Sequence, residues 1–152
     1  MDNTHYYEVN LRWNSATQGT LSSPAIAGKI EVETPTGILK RIKEKWTPEH
    51  LFVAAVNSCL MSAFLLIADN SKFKFTSFES NAVAKIEKLG GKLTITEIVL
   101  KPTLTISSAR YEAKAKRVLE MSEKACVIAN SIKTKIFLEP VINIQQITAQ
   151  SK

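Results

Sequence analysis

Cysteine, histidine, proline and glycine are all scarce in this chain of 152 residues, which has two Cys, two His, five Pro and five Gly. Because Pro and Gly are few and no repeat or low-complexity stretch occurs, disordered and solenoid architectures are excluded. His5 and His50 are too few histidines for a structural zinc site. With 45% hydrophobic residues the chain can bury one sizeable core, so we predict a single domain over residues 1–152.

The sequence shows neither a secretory signal nor a typical membrane span. The first residues lack a basic region, an apolar core and a cleavage site, so we expect a cytoplasmic protein. The longest apolar stretch, Leu51 to Ala68, includes Asn57 and Cys59 and lacks flanking aromatic anchors, which predicts a buried helix and no membrane partner. In a reducing cytoplasm we expect no permanent disulfide, which leaves packing, metal binding or redox catalysis for the two cysteines.

The net charge of +6 is compatible with a nucleic-acid partner or an anionic surface. However, the basic residues are spread along the chain, with residues 40–45 the only dense cluster, and no nucleic-acid-binding motif accompanies them. We therefore expect no nucleic-acid partner and interpret most of these charges as a solvated surface.

Hydrophobic periodicity predicts strands and helices that are segregated along the chain, which indicates the α+β class. The predicted strands lie at 7–13, 26–32, 73–86, 93–106 and 135–147, with turn residues at 14–19 and 89–92. Ser107 and Ser108 can cap a later helix that ends near Cys126. Its apolar stripe consists of Tyr111, Ala115, Val118, Leu119 and Ala125.

A first helix is predicted from Thr47, a suitable N-cap, through Pro48 and Glu49 to about residues 69–71. It is apolar nearly all round, so we expect a central helix that is covered on most of its faces. Cys59 lies inside it. A cysteine in such a place is commonly an inert small hydrophobe, and only a thiolate would act as a nucleophile.

The segment from Thr47 to Cys59, TPEHLFVAAVNSC, and the later segment Ser122-Glu123-Lys124-Ala125-Cys126 resemble the OsmC/Ohr family of thiol-dependent peroxidases. That family has Pro-Glu at the start of a central apolar helix, a peroxidatic Cys ten residues after the Glu, and a resolving Cys near the end of the second helix. The order of elements is similar over essentially the whole chain. The resemblance implies an OsmC-like fold, with antiparallel sheets packed around the central helix, and an intertwined dimer.

The same resemblance implies a peroxidase that reduces organic hydroperoxides and protects against oxidative stress. Cys59 would attack the peroxide and become a sulfenic acid, with which Cys126 would condense to form a redox-active disulfide. An external dithiol would then reduce that disulfide, and no metal or organic cofactor is required. Side chains such as Phe52, Leu60 and Phe64 would hold the alkyl tail of the substrate.

The resemblance also implies that Glu49 orients an arginine against the reactive thiolate. Arg41, eight residues before Glu49, is the nearest candidate, and Arg12 is a second one. Ohr-type relatives carry this arginine in the turn that corresponds to residues 14–19, where this chain has none. Arg41 is equally well interpreted as an exposed loop charge, and His50 as a proton carrier, a capping residue or a surface residue.

Helix geometry constrains the role that the resemblance gives to Glu49. Ten residues of straight helix advance ~15 Å along the axis, so Glu49 cannot touch Cys59 of its own chain. We therefore expect a homodimer in which Glu49 serves the cysteine of a second subunit. One alternative stays open, because the turn at 14–19 has no arginine: a catalytically silent relative that binds a hydrophobic small molecule in an apolar cavity near Cys59.

Overall fold

The structure, a computed structural model, describes residues 3–34 and 45–145. The chain divides into two units, Met1–Phe52 and Val53–Lys152, and the single domain predicted over 1–152 stays a prediction. In the first unit the strands are β1 (Asn10–Ser15), β2 (Gln18–Ser23) and β3 (Ile26–Glu33). Helix α1 (Pro48–Asn70) begins there and continues into the second unit. The further elements are β4 (Ser77–Leu89), β5 (Lys92–Ile106), a 3₁₀ turn (Ala109–Tyr111), α2 (Glu112–Lys124), α3 (Val127–Asn130), β6 (Lys135–Leu138) and β7 (Val141–Ile144).

The first unit contains an antiparallel sheet in the order β1-β2-β3, where we predicted only two strands. The missed strand is β2, because its sequence QGTLSS has polar residues without the apolar alternation that marks a strand. A two-residue turn at Ala16 and Thr17 joins β1 to β2, and Ala16 has a positive φ of 47°. Most of the predicted loop at 14–19 is therefore strand.

Helix α1 has the predicted start and end. The Thr47 and His50 side chains form a reciprocal cap, in which the His50 N–H donates to Thr47 Oγ1 and the Thr47 N–H donates to His50 Nδ1, each over 3.3 Å. Thr47 Oγ1 also lies 2.7 Å from His50 Nδ1. This is a capping box with His in the position usually held by Glu or Gln. Of the three roles left open for His50, the structure shows capping.

The second unit is built on the long β4–β5 hairpin. Gly90 and Gly91 form its turn with φ values of 53° and 83°, a backbone conformation that favours glycine at both positions. Instead of one last strand, the chain forms β6 and β7, separated at Pro140, which has no N–H for a sheet hydrogen bond.

The sheet of the second unit is mixed, and not antiparallel throughout as predicted. Strands β6 and β7 both pair in parallel with β5. The helical crossover through α2 and α3 returns the chain to the same end of β5, and such a crossover produces a parallel pair. The α+β class is confirmed.

The core of the second unit lies between one face of α1, strand β5 and helix α2. Its buried members are Phe64, Ala68, Phe73, Leu104, Ile106, Ala115, Val118 and Leu119. Phe64 stacks on Phe78 with ring centroids 4.7 Å apart and meets Phe75 edge-on at 4.9 Å. Along α2 the predicted apolar stripe is correct except at Ala125, which is exposed while Ser122 is buried.

The opposite face of α1 is uncovered in the single chain, contrary to the prediction that most faces are buried. Met61, Leu65 and Leu66 have exposed fractions of 43%, 44% and 62%. An 18-residue window of α1 has a mean hydropathy of 2.2, and only 22% of it is buried. By length and composition alone this helix could cross a membrane, so the uncovered face requires an explanation.

Thr47→Ala removes the hydroxyl that accepts the His50 N–H at the start of α1. We expect the free energy of unfolding to fall by about 0.5–2 kcal/mol, the usual cost of losing an N-cap side chain. Denaturant unfolding followed by circular dichroism measures this change. His50→Gln, which restores the common form of the capping box, is the matched control, and an equal loss in both variants would contradict the reciprocal cap.

Candidate thiol site

The structure brings the two cysteines together, although they lie 67 residues apart in the sequence. Cys59 lies on α1, Cys126 lies between α2 and α3, and both belong to the second unit. Their side chains lie close enough for Cys59 to raise the pKa of the Cys126 thiol. No disulfide joins them, and both thiols are free.

Cys126 does not lie on α2, as the periodicity predicted, but just beyond it. Helix α2 ends at Lys124, and Cys126 adopts an extended backbone (φ −69°, ψ 109°) as the N-cap residue of α3. Asn130 closes this junction, since its backbone N–H donates to the Cys126 carbonyl and its side-chain amide donates to the Lys124 carbonyl, each over 3.0 Å. The change in direction between the two helices therefore positions the thiol.

Burial distinguishes the two thiols. Cys126 is fully buried, with an exposed fraction of 0%, whereas Cys59 is partly exposed. Burial raises the pKa of the Cys126 thiol to about 11, and the nearby Cys59 side chain acts in the same direction. The backbone amides of Ala129 and Ile128 oppose this shift with smaller effects. Cys126 is therefore a protonated thiol at neutral pH.

The hydroxyl groups nearest to Cys59 in the sequence are engaged within the helix. Ser58 Oγ donates to the Ala54 carbonyl over 2.7 Å, and Ser62 Oγ donates to the Ser58 carbonyl over 3.1 Å. Within residues 3–34 and 45–145, no Lys or Arg side chain forms a hydrogen bond with Cys59. In the part of the chain that is described, its partner is the other thiol.

Of the charged residues predicted for the site, Glu49 and Arg12 belong to the first unit, whereas both thiols belong to the second. Glu49 is exposed in the first turn of α1. Arg41 lies outside the described residues. Arg12, the second arginine candidate, is exposed on β1, where it lines a polar depression of about 120 Å³ in the first unit. The other lining residues are Asn14, Thr20, Ser22 and Lys29.

Two of the three residues predicted to hold a substrate tail are part of the folded core. Leu60 and Phe64 both have an exposed fraction of 0%. Because the helix is apolar on all sides, its sequence could not distinguish the face that packs inside the chain from the face that stays open. The prediction that Leu60 and Phe64 line a substrate site is therefore wrong.

A polar connection that the sequence pattern did not predict joins α1 to β4. Asn57 Nδ2 donates to the Ser80 carbonyl over 2.9 Å, and Ser80 Oγ donates to Asn57 Oδ1 over 2.5 Å. Asn57 stands two residues before Cys59, so this pair holds the helix to the sheet close to the thiol. The available signal was a single amide side chain in an otherwise apolar run.

A larger cavity of about 450 Å³ lies elsewhere in the second unit, and none of its lining residues belongs to α1. It is lined by Glu87, Leu89, Thr94, Ile95, Thr96, Glu97, Lys133, Thr134 and Lys135. Over the described ranges, no three His, Cys, Asp or Glu residues are arranged to hold a metal ion.

The sequence over residues 40–140 matches the family described as OsmC-like protein. Because the match covers more than half of the chain, this protein belongs to the OsmC-like family. The OsmC-like fold predicted from the two cysteine motifs is thereby confirmed. No curated protein matches the sequence significantly.

Solved structures with the same fold include an OsmC-like protein of unknown function from Vibrio cholerae. It has a TM-score of 0.79 and 23% identity, over 91% of this chain and 100% of that one. An organic hydroperoxide resistance protein from Elizabethkingia anophelis, with thiocyanate bound, has a TM-score of 0.73 and 19% identity over 95% and 100% of the two chains. Another, from Legionella pneumophila, has a TM-score of 0.70 and 14% identity over 94% and 100%. At these identities the similarity establishes the fold.

The raised pKa of Cys126 predicts a loss of stability in alkaline solution. Below pH 9.0 the folded and unfolded chains both keep this proton, whereas between 9.0 and about 11 only the unfolded chain releases it. The free energy of unfolding should therefore decrease with rising pH across this window. The measurement is the difference between wild type and Cys126→Ala under reducing conditions, in which groups common to both proteins cancel. A pH-independent difference would contradict the shift.

Proposed function

We propose that this protein is a thiol-dependent peroxidase that reduces organic hydroperoxides through a disulfide cycle between Cys59 and Cys126. The observation that supports it most directly is the proximity of the chain's two thiols, one partly exposed and the other buried. Membership of the OsmC-like family agrees with this function, and so do the hydroperoxide resistance proteins among its structural neighbours. We place the reaction in the reducing cytoplasm.

In the first step, the Cys59 thiolate attacks the outer oxygen of the peroxide. An S–O bond forms, the O–O bond breaks, and the alkoxide leaves as an alcohol after taking a proton. The sulfenic acid on Cys59 then reacts with Cys126, which loses its proton as the S–S bond forms and water leaves. Because the thiols already lie close together, this second step needs only a local movement.

Restoring the thiols requires two electrons from outside the chain, and we assign this role to a dithiol. We also propose that Glu49 of a second subunit orients Arg41 against the Cys59 thiolate. A guanidinium in that place would favour the charged form of the sulfur, which an apolar environment otherwise disfavours.

Adding one equivalent of cumene hydroperoxide to the reduced protein should consume the peroxide and both thiols. Cys59→Ser should abolish the reaction, because it removes the attacking sulfur. Cys126→Ser should still consume the peroxide but stop at a sulfenic acid, since no resolving thiol is present. Peroxide assay, thiol titration and mass spectrometry after dimedone trapping measure these outcomes.

Ser58→Ala is the matched control, because the Ser58 hydroxyl bonds only to carbonyls of its own helix. It should react like wild type. If both wild-type thiols survive the peroxide unchanged, the chain is instead a silent relative that binds a hydrophobic small molecule.

We further propose that the protein is a homodimer and that the second copy covers the open face of α1. Met61 and Leu65 lie one turn apart beside the buried stripe that contains Phe64 and Ala68, Leu66 lies on the side away from that stripe, and all three are exposed. A membrane is a poorer occupant, because the same helix packs by its other face on strands, and an open sheet edge cannot be satisfied in lipid. Burying an apolar helix face against a second copy is favourable at ~25 cal/mol per Å².

Leu66→Glu places a charge on this open face, and we expect the protein to lose the dimeric mass measured by light scattering. Lys116→Glu, which also introduces a glutamate but on an exposed side of α2, should leave the mass unchanged. A monomeric mass for active wild-type protein would contradict the dimer, and sedimentation with lipid vesicles would favour the membrane.

A further inference from the structure

We propose that the dithiol which resets the enzyme attacks the sulfur of Cys59, so that both the oxidising and the reducing half-reactions take place on that one atom and Cys126 never meets an external reagent. This inference rests on the disulfide cycle proposed above. It adds which of the two sulfurs forms the mixed disulfide with the reductant, and which sulfur leaves.

An external thiol has better access to Cys59 than to Cys126. In thiol–disulfide exchange the rate depends on which sulfur the incoming thiolate can reach. Cys59 is partly exposed and its neighbour Ser58 is exposed, whereas Cys126 has an exposed fraction of 0%. In the single chain, an external thiol can therefore reach the Cys59 sulfur without opening the core.

The direction from which a thiolate must approach a disulfide also favours attack on Cys59. A thiolate attacks a disulfide sulfur in line with the bond that breaks, from the side opposite the leaving sulfur. Since Cys126 is buried and Cys59 is partly exposed, we take the solvent-exposed side of Cys59 as the side from which in-line attack comes. In-line attack on Cys126 would come from the side away from Cys59, where Cys126 is enclosed.

Cys126 is also held in place. Its N–H donates to the Glu123 carbonyl over 3.3 Å, and its carbonyl accepts the Asn130 N–H over 3.0 Å. The Asn130 side chain also binds the Lys124 carbonyl. Moving the backbone of Cys126 toward solvent would break its two hydrogen bonds, which join α2 to α3.

The step balances as follows. One thiolate of the dithiol forms a bond to the Cys59 sulfur, the Cys59–Cys126 bond breaks, and Cys126 takes the electron pair and a proton. The second thiolate of the dithiol then attacks the first sulfur of the same dithiol, which is bound to Cys59 in the mixed disulfide. This closes a cyclic disulfide and releases Cys59 as a thiolate. Two electrons pass from the dithiol to the two cysteines.

Once displaced, the Cys126 thiolate is a strong base, because the pKa of its thiol is high. It remains beside the mixed disulfide and can attack it in return, which expels a monothiol. A dithiol avoids this reversal because its second thiol reacts within the same molecule.

The test begins from disulfide made with diamide, so it does not depend on peroxide chemistry. The oxidised wild-type protein is mixed briefly with 2-mercaptoethanol, quenched in acid, alkylated with N-ethylmaleimide in denaturant and mapped by mass spectrometry. We expect mercaptoethanol on Cys59 and maleimide on Cys126. The opposite labelling would overturn the proposal.

A second measurement gives a result even if the mixed disulfide does not accumulate. Folded Cys126→Ser, which keeps only Cys59, and folded Cys59→Ser, which keeps only Cys126, are each treated with 2,2′-dithiodipyridine. Cys59 should react at least ~100-fold faster, because burial both hides the other sulfur and suppresses its thiolate. Equal rates, or faster reaction of Cys126, would overturn the inference. If this difference is found and peroxide is not consumed, the proposed peroxidase fails while the assignment of the attacked sulfur stands.

Discussion

The packing of one face of α1 into the second unit is the constraint on which the thiol site depends. Phe64 lies against Phe75 and Phe78, and the buried cluster around it joins α1 to β5 and α2. A rigid helix held in this way can place Cys59 in only one position relative to the sheet. The Asn57–Ser80 pair fixes the position and rotation of α1 on the sheet, because its hydrogen bonds are lost if the helix slides or turns.

Two thiols of the same intrinsic chemistry acquire different properties from their surroundings. Cys126 is enclosed at the junction of α2 and α3, and its burial disfavours the thiolate, whereas Cys59 stays partly open on α1. A protonated, enclosed sulfur beside an accessible one suits a resolving role better than an attacking role. The difference in burial therefore links the fold to the order of steps that we propose.

Helix α1 is apolar on all sides, and its two faces have different surroundings. One face forms the core of the chain, and the other remains open in the single chain described here. A helix that is hydrophobic on all sides is stable in water only when both faces are covered. A second subunit would complete this burial and would bring another Glu49 to the assembly.

Local patterns in the sequence determined the bounds of α1, the turn of the β4–β5 hairpin and the family. They do so because a cap at Thr47 and Pro48, or paired glycines at Gly90 and Gly91, act within a few residues of chain. Strand β2 was not predictable, because its polar residues show no alternation and its pairing with β1 and β3 defines it.

Some features of the thiol site were likewise predictable from the sequence, and others depend on the tertiary structure. The sequence indicated that Cys59 and Cys126 belong to one site, through the resemblance of their two segments to the OsmC/Ohr family. Only the tertiary structure decided that Cys126 is the enclosed sulfur, that it lies beyond α2, and that Leu60 and Phe64 belong to the core. Burial and its effect on a pKa are properties of contacts between distant segments, and no periodicity within one helix records which of its faces those segments will cover.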